Sequence, residues 1–260
     1  MRTIAFILPA MLLVPCGLAA QPVPQGELTS RLVNLPTHLT VGPATLQVVF
    51  THRFSQTTDD AGGYDLLGLD SAADIGIGLG LGLGKHVEVE IYRSSFLKEL
   101  EGSVKWTAVR QGSAFPVGVA ARVGVDYRGA KGIDERWSAF AQLVAARRFG
   151  ERLDLFVVPM FASDTPTLEN AANVGVGLAY HLPRGWDVAA EAIAENRDAR
   201  GGTLAWSVAF NKRVPGHAFM IYLGNSPATT SDLLAGSDYP GGLSEGDVRL
   251  GFNLVRRFPE

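Results

Sequence analysis

An alternation of glycine with aliphatic residues over residues 73–84 constrains the fold more than any other feature of this chain. The aliphatic side chains fall at every second position and the glycines fill the positions between them, as in Ile75, Gly76, Ile77 and Gly78. A helix would scatter both sets around its axis, whereas a strand sorts them onto opposite faces. The segment therefore predicts a β-strand. It opens no helix, so it does not match a dinucleotide-binding glycine loop.

Alternation with a period of two recurs along the rest of the chain and predicts about twelve strands. Five segments follow the rule clearly, beginning near residues 46, 73, 87, 104 and 117. Seven further segments are residues 137–149, 153–161, 173–182, 186–195, 203–212, 217–223 and 247–258. The segments 137–149 and 153–161 are apolar on both sides, so their register is the least defined by sequence.

The connectors between these segments indicate how the strands are arranged. Counted in order, every odd-numbered connector is longer than every even-numbered one. Short turns at one end, long loops at the other and an even number of strands are typical of outer-membrane barrels. The fold class is therefore expected to be all-β: a closed, antiparallel, up-and-down transmembrane β-barrel with short periplasmic turns and long outer loops. A secreted β-sandwich is the alternative, but it would carry many Asp and Lys residues on its outer faces.

The chain divides into three regions. Residues 1–20 combine a basic start, an apolar run and small residues, which predicts a signal peptide. This region contains the only cysteine, Cys16, so the mature chain forms no disulfide. Residues 21–43 are rich in proline, which argues against a helix. They form a periplasmic N-terminal segment that either narrows the lumen or serves as a tether, and residues 44–260 form the barrel.

Composition restricts the partners. A net charge of −3 without a basic tract gives no electrostatic reason for nucleic-acid binding. A hydrophobic content of 47% is too high for a disordered chain. We expect a monomer in the bacterial outer membrane, in contact with lipid and lipopolysaccharide and inserted by the barrel-assembly machinery.

The strand faces opposite the apolar ones are expected to line the lumen. The candidate lining residues are Arg53, Glu88, Glu90, Lys105, Arg122, Asp126, Glu191, Glu195 and Arg249. Both signs of charge occur, so strong selectivity for one sign of ion is not indicated. The function expected is a narrow, porin-like channel for small solutes. The alternative is a non-conducting structural or adhesive barrel that presents loops 55–71 and 225–246.

Enzymatic and metal sites find little support. Some twelve-stranded barrels hydrolyse lipids, and His52 is the only histidine placed to approach Ser94 and Ser95, but no spacing motif supports the pair. His217 and Ser226 lie nine residues apart, too far for a dyad along a strand. No paired histidines or cysteines occur at metal-ligand spacing. We therefore expect no enzyme activity and no cofactor.

Several stretches resemble an uncharacterised family of bacterial outer-membrane β-barrel proteins. They are, in order, residues 31–37, 52–54, 67–75 with the glycine-alternating strand, 93–95, 145–149, 216–217, 225–226 and 246–253. The resemblance spans nearly the whole mature chain and implies a barrel in the outer membrane, with no established activity.

The polar residues that recur in these stretches are expected to meet at the outer rim of the first three strands. They are His52, Arg53, Asp70, Asp74, Arg93 and Ser94. We predict that they form a salt-bridged latch that fixes the loop 55–71, with its leucines turned inward or onto the rim. A substrate-binding rim built from the same residues is the alternative.

Overall fold

The computed structural model describes residues 30–112, 114–134, 136–166, 170–194, 204–236 and 246–258. Twelve strands occur within these residues. They are β1 (Leu46–Phe54), β2 (Ala73–Gly82), β3 (Val87–Ser94), β4 (Glu99–Val109), β5 (Gly118–Arg128), β6 (Trp137–Phe149), β7 (Leu153–Ser163), β8 (Asn170–Leu182), β9 (Trp186–Ile193), β10 (Ala205–Val214), β11 (His217–Gly224) and β12 (Arg249–Phe258).

Each strand pairs with the next in sequence, and β1 pairs with β12 to close the barrel. All the pairs are antiparallel, and the closing pair runs from Leu46 opposite Phe258 to Arg53 opposite Gly251. Closure leaves no unpaired edge strand, so the backbone groups of neighbouring strands pair with one another around the whole barrel. The predicted fold class is confirmed.

The two faces of the wall differ as the alternation predicts. On β2 the aliphatic side chains are exposed on the outside, with Ile77 and Leu79 each 51% exposed, while Gly76, Gly78 and Gly80 are buried on the inside. An apolar outer face is required where the strands cross hydrocarbon. Among the described residues, no helix has the length and apolar character needed to cross a membrane.

Two short helices lie in the long loops: α1 (Thr58–Ala61) between β1 and β2, and α2 (Ser231–Gly236) between β11 and β12. Short 3-10 turns occur at Leu66–Gly68, Phe96–Lys98 and Pro183–Gly185.

The expected rule for the connectors fails at the third and fourth. The third connector, 95–98, has four residues, and the fourth, 110–117, has eight. The fourth is also as long as the fifth, 129–136, and longer than the seventh, 164–169. The sequence interpretation began β4 near Val104, whereas the strand begins at Glu99. Glu99 and Glu101 point into the lumen, where they contact Arg128 and Arg122 of β5. The local sequence at these two acids is typical of a loop, but the residues extend the strand.

Three expectations lie outside the described residues. They are the signal peptide over residues 1–20, with Cys16, the first part of the N-terminal segment, and the lining candidate Glu195.

Candidate functional site

The described part of the N-terminal segment, residues 30–43, lies inside the barrel and is called here the inner segment. Its residues 32–41 are all buried, and it enters from the end that carries the short turns, where the Ala44 N–H donates to Gly82 O at 2.9 Å. A tight turn forms its tip: Leu32 N donates to Leu35 O at 2.7 Å and Thr37 N donates to Ser30 O at 3.0 Å. The segment therefore fills the lumen rather than forming a tether.

One carboxylate on the wall holds the tip of this turn. The backbone N–H groups of Val33, Asn34 and Leu35 donate to Glu191 of β9 at 3.2, 3.0 and 3.0 Å, and Asn34 Nδ2 donates to it at 2.8 Å. Successive backbone N–H groups that converge in this way form an anion-binding nest. On the opposite side, Arg53 donates to Asn34 Oδ1 at 2.9 Å.

Arg31 of the inner segment joins a buried ion-pair network on β3, β4 and β5. Its guanidinium lies 3.1 Å from Glu90 and 3.5 Å from Glu101, and it stacks over the Tyr92 ring at 4.7 Å. Arg122 contacts the same two carboxylates. Burial disfavours the charged form of Arg31, but the two carboxylates outweigh this and raise its pKa, so the guanidinium stays charged.

A second acid and base pair lies nearer the short turns. Glu88 accepts from the Val41 N–H at 2.8 Å and lies 3.3 Å from Lys105 Nζ. Lys105 also donates to Ser30 O at 3.2 Å. Charged side chains of the wall therefore form hydrogen bonds with the backbone of the inner segment near both of its ends, at Ser30 and at Val41.

The last long loop folds into the barrel from the other end. Residues 225–236, called here the outer segment, are all buried, including α2. Asp232 at the start of α2 lies 2.6 Å from Arg128, and both side chains are fully buried. Thr230 Oγ1 donates to Glu99 at 2.6 Å and Ser231 N donates to Glu101 at 2.7 Å. The expectation that loop 225–246 is presented outside is therefore wrong for its described first half.

The two segments meet in the middle of the barrel. Arg31 Nη1 donates to the Thr229 carbonyl of the outer segment at 3.1 Å. Glu101 accepts from both, since it contacts Arg31 of the inner segment and the Ser231 N–H of the outer one. The segments thus share acceptors and contact each other directly.

Inward residues of β6 and β7 form an apolar surface on the lumen wall, including Phe140, Val144, Phe156, Val158 and Met160. Apolar residues of both segments pack against this surface, including Leu35 and Leu233. This explains why β6 and β7 are apolar on both sides: one face meets lipid and the other meets the two segments.

Glycines on the inner face of the wall leave room for side chains of the inner segment and of neighbouring strands. A Cβ at Gly175 would lie 2.7 Å from Leu35 Cδ2, and one at Gly177 would clash with Leu32. A Cβ at Gly78 would lie 2.9 Å from the Tyr92 ring. At Gly80, by contrast, the nearest atom would be 3.7 Å away, an ordinary contact. On β2, Gly78 therefore leaves room for the Tyr92 side chain of the wall and not for a solute.

His38 is a second titratable group of the inner segment whose pKa burial changes. Its ring lies against the wall at Gly118, 6.3 Å from the Phe156 ring, and its exposed fraction is 2%. Burial lowers the pKa of His38 from 6.5 to about 4. The imidazole is therefore neutral at neutral pH.

The structure places the described lining candidates on the inner face of the wall. Arg53, Glu88, Glu90, Lys105, Arg122, Asp126 and Glu191 are all buried there, and Arg249 is half-buried at the outer rim, where it contacts Asp247 at 3.5 Å. The carboxylate of Asp126 accepts no hydrogen bond within the described residues.

The structure does not bring the latch candidates together. His52 points outward and stacks on Phe252 at 4.8 Å, whereas Ser94 is buried on the inside. Arg93 is exposed and donates to Glu99 O, and Asp70 is exposed in the loop. Asp74 accepts a long hydrogen bond of 3.4 Å from Ser95. No salt bridge joins these residues in the described parts of the chain.

The reason for the difference is parity along β1, because neighbouring positions face opposite sides of the wall. His52 and Arg53 cannot point to one site. The same separation keeps His52 from Ser94, so the histidine and serine considered for hydrolysis lie on opposite faces. The loop leucines are not turned inward either: Leu66 and Leu67 are 57% and 51% exposed.

Several functional residues escaped the sequence interpretation. Glu99, Glu101 and Arg128 were missed because they lie at strand ends that resemble loops. At the end with the short turns, Asp154 and Asp187 enclose His181 at 2.7 and 2.6 Å. The alternation on β7 predicts that Asp154 faces inward, and the same parity on β8 and β9 was the available signal for His181 and Asp187. No group of three metal-ligating side chains suited to an ion occurs among the described residues.

Comparisons with known proteins agree with the barrel. The family model described as a membrane bound beta barrel domain, DUF5777, matches residues 28–258. No curated protein shows significant similarity to the sequence.

Solved structures with the same fold include an outer membrane channel from Pseudomonas putida F1. It is 14% identical, with 89% of this chain and 99% of that chain covered and a TM-score of 0.51. The NanC porin is 9% identical, with 81% and 97% covered and a TM-score of 0.50. Outer membrane phospholipase A from Escherichia coli is 11% identical, with 82% and 89% covered and a TM-score of 0.45. Identities this low show the fold alone. The match to the family model over nearly all of the barrel establishes that this chain belongs to the DUF5777 family of membrane-bound β-barrel domains.

Proposed function

We propose that the protein is a gated channel for small polar solutes in the bacterial outer membrane, and that the inner and outer segments close it. The observation that carries the proposal is the chemistry of the surface beneath the inner segment. Glu88, Glu90, Glu191 and Arg53 bind the segment through hydrogen bonds and ion pairs. Water can replace such contacts when a segment leaves, because these groups are readily hydrated.

A barrel with a purely structural role would be expected to satisfy its wall charges within the wall. Here the wall leaves acceptors that the inner segment completes, as at Glu191, whose four hydrogen-bond donors from Val33, Asn34 and Leu35 all belong to the inner segment. The outer membrane channel and the porin, which share the barrel fold, support this proposal by their similar architecture. The proposal keeps the protein monomeric, in contact with lipid and lipopolysaccharide, exported by the signal peptide and inserted by the barrel-assembly machinery. It assigns no enzymatic reaction.

A second candidate function is a non-conducting barrel that presents its first loop. The observation that favours it is the exposure of Tyr64, Leu66, Leu67 and Leu69, which are 95%, 57%, 51% and 48% exposed in loop 55–71. Exposed apolar groups of this kind often mark an interaction surface.

Single-channel conductance in a planar bilayer separates the two functions. The variant Gly177→Leu places a side chain where Leu32 of the inner segment now lies. The matched control is Gly80→Ala, whose methyl group would have its nearest neighbour at 3.7 Å, an ordinary van der Waals contact. Combining Gly177→Leu with Asp232→Ala also releases the outer segment, because Asp232 is the partner of the buried Arg128. We expect wild type and Gly80→Ala to be silent or to open rarely, and the double variant to give discrete steps. Silence from the folded double variant would refute the channel and favour the presenting barrel.

A further inference from the structure

We propose that the lumen wall carries a binding site for a guanidinium group, that Arg31 occupies this site in the closed barrel, and that a small guanidinium-bearing solute competes with Arg31 for it. The proposal rests on the gated channel described above and names the class of solute that its site recognises.

The surroundings of Arg31 match the chemistry of a guanidinium on every side. Glu90 and Glu101 offer carboxylate oxygens at 3.1 and 3.5 Å, and the carbonyl of Thr229 accepts from Nη1 at 3.1 Å. The Tyr92 ring lies beneath the guanidinium carbon at 4.7 Å. Several acceptors around the guanidinium combined with an aromatic face favour a planar, delocalised cation over a compact ammonium.

Apart from the Thr229 carbonyl of the outer segment, the groups that form the site belong to the wall and not to the inner segment. Glu90 and Tyr92 lie on β3 and Glu101 lies on β4, so strand pairing fixes their positions. The hydroxyl of Tyr92 is anchored by Thr51 Oγ1 at 2.6 Å. The ring also fits over Gly78, where a Cβ would lie 2.9 Å from it. A site supported in this way is expected to persist when Arg31 leaves.

The charge balance of the surrounding residues explains why the site should prefer a cation when Arg31 is absent. Two carboxylates and two cations form the connected network: Glu90 and Glu101 with Arg31 and Arg122. Removing Arg31 leaves one negative charge in excess among buried groups, which is costly unless a cation replaces it. Glu90 Oε1 is also buried without a hydrogen bond in the described chain, so one acceptor remains for a ligand.

Binding of ethylguanidinium to full-length variants tests the site, with isothermal titration calorimetry in detergent as the measurement. Arg31→Ala vacates the site and should bind the probe, whereas wild type should not at the same concentrations, because Arg31 already fills it. Adding Glu90→Gln to Arg31→Ala should weaken binding about 10-fold or more, as expected for the loss of a charged hydrogen bond. Asp187→Asn in the same background is the matched control, since it also converts a wall carboxylate to an amide but its partners are His181 and Arg213. It should leave the affinity within about threefold.

Three results would overturn the inference, given a folded barrel by heat-dependent electrophoretic mobility. They are no binding to Arg31→Ala, equal binding to the Glu90→Gln double variant, and equal binding of ethylammonium. Conductance separates this failure from failure of the channel. If the Gly177→Leu and Asp232→Ala double variant conducts but Arg31→Ala binds no probe, the channel is supported and the guanidinium site is refuted. If Arg31→Ala binds the probe and no variant conducts, the site is supported and the channel is refuted.

Discussion

Replacing Glu191 tests how the inner segment is held. Its carboxylate accepts the backbone N–H groups of Val33, Asn34 and Leu35 at 3.0–3.2 Å, and the wall is buried at this point. Glu191→Ala removes the acceptor and leaves these donors without a partner. Glu191→Gln keeps one side-chain oxygen but removes the charge.

The expected magnitude follows from the number of donors. A buried donor without a partner costs about 1–3 kcal/mol, so three of them cost about 3–6 kcal/mol once water partly replaces the carboxylate. The neutral amide should cost about 1–3 kcal/mol, because charged hydrogen bonds are roughly twice as strong as neutral ones. The free energy that docks the tip of the inner segment is therefore expected to fall by these amounts.

Hydrogen exchange of the amides of residues 33–35, followed by mass spectrometry, measures the effect locally. A loss of about 3 kcal/mol raises the population of the undocked tip, and with it the exchange rate, about 100-fold. Ser207→Ala is the matched control, since Ser207 faces Glu191 on β10 and donates no hydrogen bond to the inner segment among the described residues. If Glu191→Ala exchanged within about threefold of wild type, as the control should, the carboxylate would not hold the segment and the reasoning would be wrong.

Two further predictions concern pH and the outer segment. The pKa of His38 falls from 6.5 to about 4 on burial, so the unfolded or undocked state binds more protons between these values. Docking of the inner segment should be complete above pH 6.5 and weaken by up to about 3 kcal/mol as the pH falls to 4. Proteolysis of the segment against pH should reveal this, and His38→Gln should flatten the profile between these values; an unchanged profile would contradict it. Asp232→Ala removes the 2.6 Å partner of the buried Arg128 guanidinium, which keeps Glu99 at 3.4 Å and the Asp164 carbonyl at 2.7 Å, so the loss should cost about 1.5–3 kcal/mol. External protease should then cleave the outer segment, and replacing the pair together by Arg128→Met and Asp232→Leu should restore resistance.

The sequence predicted the fold well because a barrel wall depends on local alternation. On β2, the exposed Ile77 and the buried Gly76 follow directly from a period of two, whatever surrounds the strand. The same parity predicted that Glu90 and Glu191 face inward. It also contradicted the latch, since adjacent His52 and Arg53 must face opposite sides.

Sequence reasoning could not predict which inward residues meet. Arg31 and Glu90 are 59 positions apart, and Glu191 is 157 positions from Asn34. Their contacts exist only because two loops turn back into the lumen. The local sequence predicts a connector at the acids 99 and 101, because nothing in it reveals the cations they pair with on β5.

What the sequence by itself determined is the wall: strand number, strand polarity, the lipid-facing surface and the polar lumen. These follow from interactions between neighbours in the chain and from the requirement that backbone groups in hydrocarbon pair with one another. What only the tertiary structure decided is the content of the barrel, where the inner and outer segments meet at Arg31 and Thr229. That arrangement depends on charge balance and packing across the lumen, between residues far apart in sequence, and no local pattern encodes it.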